Sequence, residues 1–151
     1  MKKYIFLLLF LFGTISLLSQ ELVTDRPDQT ESSSTVPKQN LQVETGVLLG
    51  FIENGTTRER QIQVPTTLLR YGITDKIELR LFSQFESIKN QVGDFESNGI
   101  SDMEIGAKVQ VLQKKDCKTE IAFLSHVVFP TGSTSLSGNT YASVNKLALS
   151  Y

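Results

Sequence analysis

Few residues in this chain have the types and spacing that chemistry requires. Ser125 and His126 are adjacent, and an imidazole within hydrogen-bond reach of a hydroxyl can take its proton, as in a serine hydrolase. They lie in "IAFLSHVVF", an alternating stretch, and neighbours on a strand point to opposite faces. The pair therefore cannot share a proton without a bulge, and His126 reads as a hydrogen-bonded wall residue. Asp102 and Glu104 share a parity that could bring them near Glu78 or Lys108, the raw material of a cation site. Their spacing is not distinctive for a metal, so a solvated wall of mutually neutralising charges is expected, with little ion selectivity. Cys117 stands among Lys114, Lys115 and Lys118, whose charge favours a thiolate, but it reads as a solvated loop thiol. Asn54-Gly55-Thr56 has the form of a glycosylation acceptor and reads as a turn. The sequence has no Gly-rich phosphate loop, no HExxH and no CxxC, so the expectation is a protein without catalytic residues, cofactor or metal.

The elements that would position these residues are strands. Leu41, Val43, Thr45, Val47, Leu49 and Phe51 share one parity, opposite Gln42, Glu44, Gly46 and Gly50. "ENGTTRER" reads as a turn-rich link, followed by a strand from Gln61 to Tyr71 with a bulge near Pro65. After the tight "GITD" turn, Ile77, Leu79, Leu81 and Phe85 alternate with Lys76, Glu78, Arg80, Gln84 and Glu86. "SIKNQVGDFESN" reads as a long polar link before Ile100 to Leu112, where Met103, Ile105, Ala107, Val109 and Val111 oppose Asp102, Glu104, Gly106, Lys108 and Gln110. A short turn, "QKKDCK", leads to Ile121 through Phe129. The long "PTGSTSLSGNT" link then leads to a sixth strand, about Tyr141 to Tyr151.

The segment before the strands divides in two. Lys2 and Lys3 precede an apolar run from Tyr4 that continues through "GTISLLS", the layout of a signal peptide over residues 1–19. The run falls short of the ~20 apolar residues a spanning helix needs, so export with cleavage is expected rather than anchoring. Residues 20–40 are polar, contain Pro27 and Pro37, and show no apolar period. They read as a flexible periplasmic leader, with a plug formed by Asp25, Arg26, Asp28 and Glu31 as the alternative. Residues 41–151 form the sheet. Loss of Lys2 and Lys3 leaves 13 basic residues against 16 acidic ones, a formal charge of −3, and no basic patch to recruit nucleic acid. A single cysteine excludes an intramolecular disulfide framework.

Alternation alone fits two settings. In a soluble sandwich the apolar faces point inward, whereas in an outer-membrane barrel they meet lipid and the charged faces line a wet interior. Three patterns favour the barrel. The strands are about 11 residues long, near the ~9–11 needed to cross a bilayer at a tilt. The connections alternate between long and short. Phe51, Phe85 and Phe129 close strands at one end, and Tyr71 and Tyr151 at the other, as in two interfacial belts. The expected fold is thus all-β, an antiparallel up-and-down transmembrane β-barrel with about six strands present. Its candidate lumen residues are Glu44, Arg70, Lys76, Glu78, Arg80, Glu86, Asp102, Glu104, Lys108 and His126.

"TDRPDQTESSSTVPK", "LQVETGVLLG", "PTTLLRYGITDKIELRL", "ISDMEIGAKVQ" and "FPTGS" together resemble the outer-membrane transporter family named after the meta-pathway of phenol degradation, in a form typical of Bacteroidetes. The resemblance spans nearly all of the chain after residue 23. It implies an outer-membrane barrel that passes small hydrophobic or aromatic compounds, and it carries over no catalytic or binding residue. Outer-membrane lipid, the barrel-assembly machinery and a small-molecule solute are the expected partners. Six strands are fewer than the eight of the smallest usual single-chain barrel, so the sequence reads as an N-terminal fragment. Alternative functions are a structural or adhesive barrel without flux and a soluble periplasmic β-sandwich that binds a ligand.

Overall fold

The structure, a computed structural model, describes residues 22–25, 31–55, 57–90, 95–113 and 119–151. The signal peptide, Arg26, Asp28, Thr56 of the Asn-Gly-Thr turn and the Cys117 turn lie outside the described residues. Seven strands follow one another: β1 (Leu41–Asn54), β2 (Thr57–Thr74), β3 (Ile77–Asn90), β4 (Phe95–Ile100), β5 (Met103–Leu112), β6 (Glu120–Phe129) and β7 (Ala142–Ser150). They form one antiparallel sheet in the order β1-β2-β3-β5-β6-β7, with β4 paired only to the far part of β3. The sheet curls into a half-barrel.

Parity decides which side chains face the hollow. Leu41, Val43, Val47, Leu49 and Phe51 of β1, Ile77, Leu79 and Phe85 of β3, Ile105, Val109 and Val111 of β5, and Leu147 and Leu149 of β7 are all exposed on the convex face. The concave face carries the reverse composition. Glu44, Arg70, Glu78, Arg80, Glu86, Lys108, Gln110 and His126 are buried there, whereas the buried apolar residues are only Val36, Leu68, Ala122, Leu124 and Ala148 among the described residues. A water-soluble domain shows the opposite sorting, because buried charge is costly and exposed apolar area is favoured only where the surroundings are apolar.

Two expected links are strands. β1 and β2 continue through "ENGTTRER" in register, pairing Phe51 with Arg60, Glu53 with Arg58 and Asn54 with Thr57. Likewise "SIKNQVGDFESN" is mostly a hairpin, pairing Phe85 with Ile100 through to Asn90 with Phe95. These extensions lack apolar alternation because their inward positions, such as Glu86 and Ser97, are buried against polar partners and not in an apolar core. Cross-strand ladders and ion pairs such as Glu53–Arg58 (2.7 Å) and Lys89–Glu96 (3.4 Å) support them instead. Strands of 14, 18 and 14 residues at β1 to β3 therefore replace the uniform length of about 11. The two ends of the sheet still differ. One carries the β1–β2 and β3–β4 hairpins and the Pro130–Tyr141 loop; the other carries the Asp75–Lys76 turn. The bulge expected near Pro65 is present, as a register shift between Gln63 and Thr66 against β3.

Candidate functional site

The leader does not hang free. It enters the hollow at the turn end, where Lys38 forms a parallel bridge with Gly72 and the Gln39 amide donates to the Gly72 carbonyl at 2.8 Å. A side chain at position 72 would be blocked, since its Cβ would lie 2.2 Å from the Pro37 carbonyl oxygen. The glycine is what lets the leader backbone lie against the wall. Beyond it the Val36 amide donates to Glu78 Oε2 at 2.7 Å, and Thr35 Oγ1 donates to the Asp75 carbonyl at 2.9 Å. Ser33 Oγ reaches Glu120 Oε2 at 2.8 Å and also meets Ser150 Oγ. The expectation of a flexible leader is thus corrected. Polar contacts with the wall substitute for the apolar anchors the segment lacks.

At the centre of the plug one carboxylate meets three cations. Asp25 Oδ2 lies 2.5 Å from Arg80 NH1, 2.5 Å from Lys108 Nζ and 3.5 Å from Arg70 NH2. Its Oδ1 accepts from the Ser32 amide at 2.8 Å, and its own amide donates to Glu44 Oε2 at 3.0 Å. Burial by itself would push the Asp25 carboxyl up. The positive charges of Lys108 and Arg70, with hydrogen bonds from Lys108 and Ser32, outweigh it and hold the carboxyl well below the usual carboxylate range. Around this contact Arg70 pairs with Glu44 (2.9 Å) and Glu78 (2.9 Å), and Arg80 pairs with Glu78 (3.0 Å) and Glu31 (2.8 Å). Lys146 closes the rim on Glu31 at 3.2 Å. Leader carbonyls complete the shell: Val23 and Ser34 accept from Arg70, and Ser32 and Ser34 from Lys108. Every one of these ionic groups gains an opposite charge, without which burying it would be prohibitive.

Toward the hairpin end Glu86 is held by neutral groups. Gln61, Gln63 at 3.3 Å and Gln84 at 3.4 Å turn amides toward its carboxylate, and Ser101 Oγ donates at 2.8 Å. Nearby, His126 Nδ1 lies 2.9 Å from Glu104 Oε2, while its Nε2 has no hydrogen-bond partner among the described residues. Gly106 sits beneath the imidazole; a Cβ there would lie 2.1 Å from His126 Cδ2. Between this belt and the leader is a cavity of about 410 Å³, bordered by Asp25, Glu31, Arg80, His126 and Lys146 and floored by Leu68 and Phe82.

Eight of the ten expected lumen residues face the hollow, and two do not. Lys76 is exposed in the β2–β3 turn, because the strand begins only at Ile77. Asp102 precedes β5 and accepts from the amides of Gly132 (2.9 Å) and Gly138 (2.8 Å), pinning the Pro130–Tyr141 loop instead of lining the wall. Interaction with Ser137 and those two amides lowers its pKa. The expected wet interior is also corrected at the turn end, where the leader fills it. Sequence reasoning missed Lys146, although its parity opposite Leu147 and Leu149 marks it as inward. It also missed the partnership of Asp25 and Glu31 with the wall, which three inward cations facing only Glu44 and Glu78 would have signalled.

At the turn end the arrangement is suited to holding negative charge, and Ser125 and His126 do not pair. Ser125 Oγ donates to Asn145 Oδ1 at 2.8 Å on the opposite face from His126, as strand alternation requires. Among the described residues no three His, Cys, Asp or Glu side chains converge as metal ligands. No curated protein and no solved structure matches the chain. A family model does match, over residues 24–151, from the leader to the last strand, so the chain belongs to the family described as the MetA-pathway of phenol degradation.

Proposed function

We propose that the protein is an outer-membrane β-barrel that carries small solutes across by diffusion along its charged inner wall, and that it works as a conduit and not as an enzyme. The observation that carries this reading is the inverted sorting of side chains, with the apolar parity exposed on the convex face and ionised groups buried on the concave one. Lipid is the surrounding that favours such sorting, and closure of the curled sheet would pair the remaining backbone groups in the hydrocarbon layer. Family membership and the half-barrel are compatible with an outer-membrane protein. The family's description directs the first trials to aromatic solutes. No second layer packs on the apolar face among the described residues, which disfavours the soluble sandwich.

The filled turn end favours a second reading, a structural barrel without flux. Two experiments separate the possibilities. Cell fractionation with a heat-dependent gel shift is expected to place the folded protein in the outer membrane, with spin labels at Leu79 and Ile105 accessible to oxygen dissolved in lipid. Recovery in the soluble periplasm removes both membrane readings. Solute-swelling assays on the full-length protein in liposomes are expected to show entry of small solutes, and an intact fold without entry leaves the structural barrel.

A further inference from the structure

The leader's grip on the wall is chemical in a particular way: it presents carboxylates to cations. Of the four acids in the cluster, Asp25 and Glu31 come from the leader, whereas Glu44 and Glu78 come from the wall. The four cations, Arg70, Arg80, Lys108 and Lys146, all belong to strands. Without the leader the turn-end cluster, taken apart from Glu86 and Glu104 farther along the wall, has four positive charges against two negative ones. Lys146 would lose its acid but is half-exposed, and of the buried cations Lys108 would be the most affected. Its contacts are Asp25 at 2.5 Å, Glu31 at 4.0 Å and the Ser32 and Ser34 carbonyls, leaving only Glu78, at 3.8 Å, from the wall.

The cavity borders this same point. Arg80 and Lys146 face it together with both leader acids, and apolar Leu68 and Phe82 lie beside them. Two buried nitrogens of residues on its lining, Arg80 Nε and His126 Nε2, have no hydrogen-bond partner among the described residues. A small organic acid has the matching parts, a carboxylate for the cations and a hydrocarbon body for the apolar patch.

We propose that Arg80 and Lys108, with Lys146 at the rim, form a binding site for carboxylate-bearing solutes that the leader occupies through Asp25 and Glu31, so that solute and leader exchange on the same cations. The inference rests on the transport reading above for its role but not for its detection. Exchange of this kind replaces one set of charge-assisted hydrogen bonds by another, so the cations stay paired at each stage.

The test uses the full-length protein folded in lipid, with benzoate as the probe and benzamide as its neutral counterpart of the same size. Hydrogen exchange at the Asp25 and Val36 amides, which donate to Glu44 and Glu78, reports whether the leader is seated. Benzoate is expected to accelerate exchange at both amides and benzamide to leave them unchanged, with Lys108→Gln abolishing the difference. In liposomes benzoate is expected to enter about tenfold faster than benzamide, as a cluster of cations on the path favours the anion. Unchanged leader exchange in benzoate overturns the carboxylate site whatever the flux. Accelerated exchange without entry of either solute upholds the site and removes the transport reading instead.

Discussion

The two ends of the hollow solve the problem of buried charge in different ways. Near the hairpin end Glu86 is surrounded by neutral donors, Gln61, Gln63, Gln84 and Ser101, all from the wall or its immediate continuation. Near the turn end Arg70, Arg80 and Lys108 depend on Asp25, a residue 45 or more positions away in sequence. The first network is complete as soon as β2, β3 and the start of β5 are paired. The second is complete only when a separate segment has docked. The difference teaches where regulation can reside. A wall that satisfies itself is rigid, whereas one finished by a removable strap has two states separated by the strap's binding free energy.

Removing a cation from the strapped end is expected to have the largest effect. Arg70→Gln leaves Glu44 and Glu78 buried without their common partner, and breaking such a pair from one side costs about 3–5 kcal/mol. Urea unfolding followed by the heat-dependent gel shift measures it. A loss below about 1 kcal/mol would mean that water reaches the cluster and that the strapped end is no drier than the surface.

Gly72→Ala attacks the strap without touching a charge. Its Cβ would fall 2.2 Å from the Pro37 carbonyl and 2.5 Å from that of Val36, both backbone atoms that cannot swing away. Overpacking of this kind costs about 1–3 kcal/mol. The expected outcome is faster proteolysis of the leader with the barrel intact. Equal effects on leader and sheet would erase the contrast between a docked segment and a continuous wall.

Acid should loosen the same end. Asp25 is held below the usual carboxylate range in the folded protein, so its contribution is fully present above the ordinary carboxylate pKa of about 4 and declines as pH falls through the lowered folded value. The groups facing it are Arg70, Arg80, Lys108 and Glu78 from β2, β3 and β5, with Glu44 from β1 at its amide. Protease protection of the leader is expected to hold down to about pH 4 and to fall progressively below it, and Asp25→Asn to lack that dependence.

How much of this was legible depends on what each feature rests on. The convex and concave faces follow from period two, so Leu79, Glu78, Arg80 and Lys108 fall where alternation puts them. The hairpin extensions were illegible because strands polar on both faces carry no hydrophobic signature, as "ENGTTRER" shows. Lys76 and Asp102 were misplaced because each lies one residue outside a strand, where parity no longer governs direction. The leader was misread for a deeper reason. Docking by carboxylates and main-chain carbonyls leaves no periodic mark, and its partners are encoded on strands far away in sequence. With Lys76 and Asp102 off the wall and Lys146 on it, the inward charges are Glu44, Glu78, Glu86 and Glu104 against Arg70, Arg80, Lys108 and Lys146, a balanced set whose cations gather at the turn end.

The smallest effect is expected at the self-satisfied end, and it sharpens the comparison most. Glu86→Gln keeps one acceptor oxygen and removes a charge that no cation neutralises, so the loss is confined to the charge-assisted part of the bonds from Ser101 and the glutamines, about 1 kcal/mol. Ser101→Ala in the same background should then add almost nothing, because the strong acceptor it served is gone. The Lys108 and Asp25 substitutions should couple more strongly, since Asp25 is the acid nearest Lys108, at 2.5 Å against 3.8 Å for Glu78. A double-mutant cycle in urea distinguishes the two behaviours. Coupling of no more than about 1 kcal/mol at Glu86–Ser101 beside larger coupling at Lys108–Asp25 is the signature of a wall that satisfies itself at one end and is completed by the leader at the other.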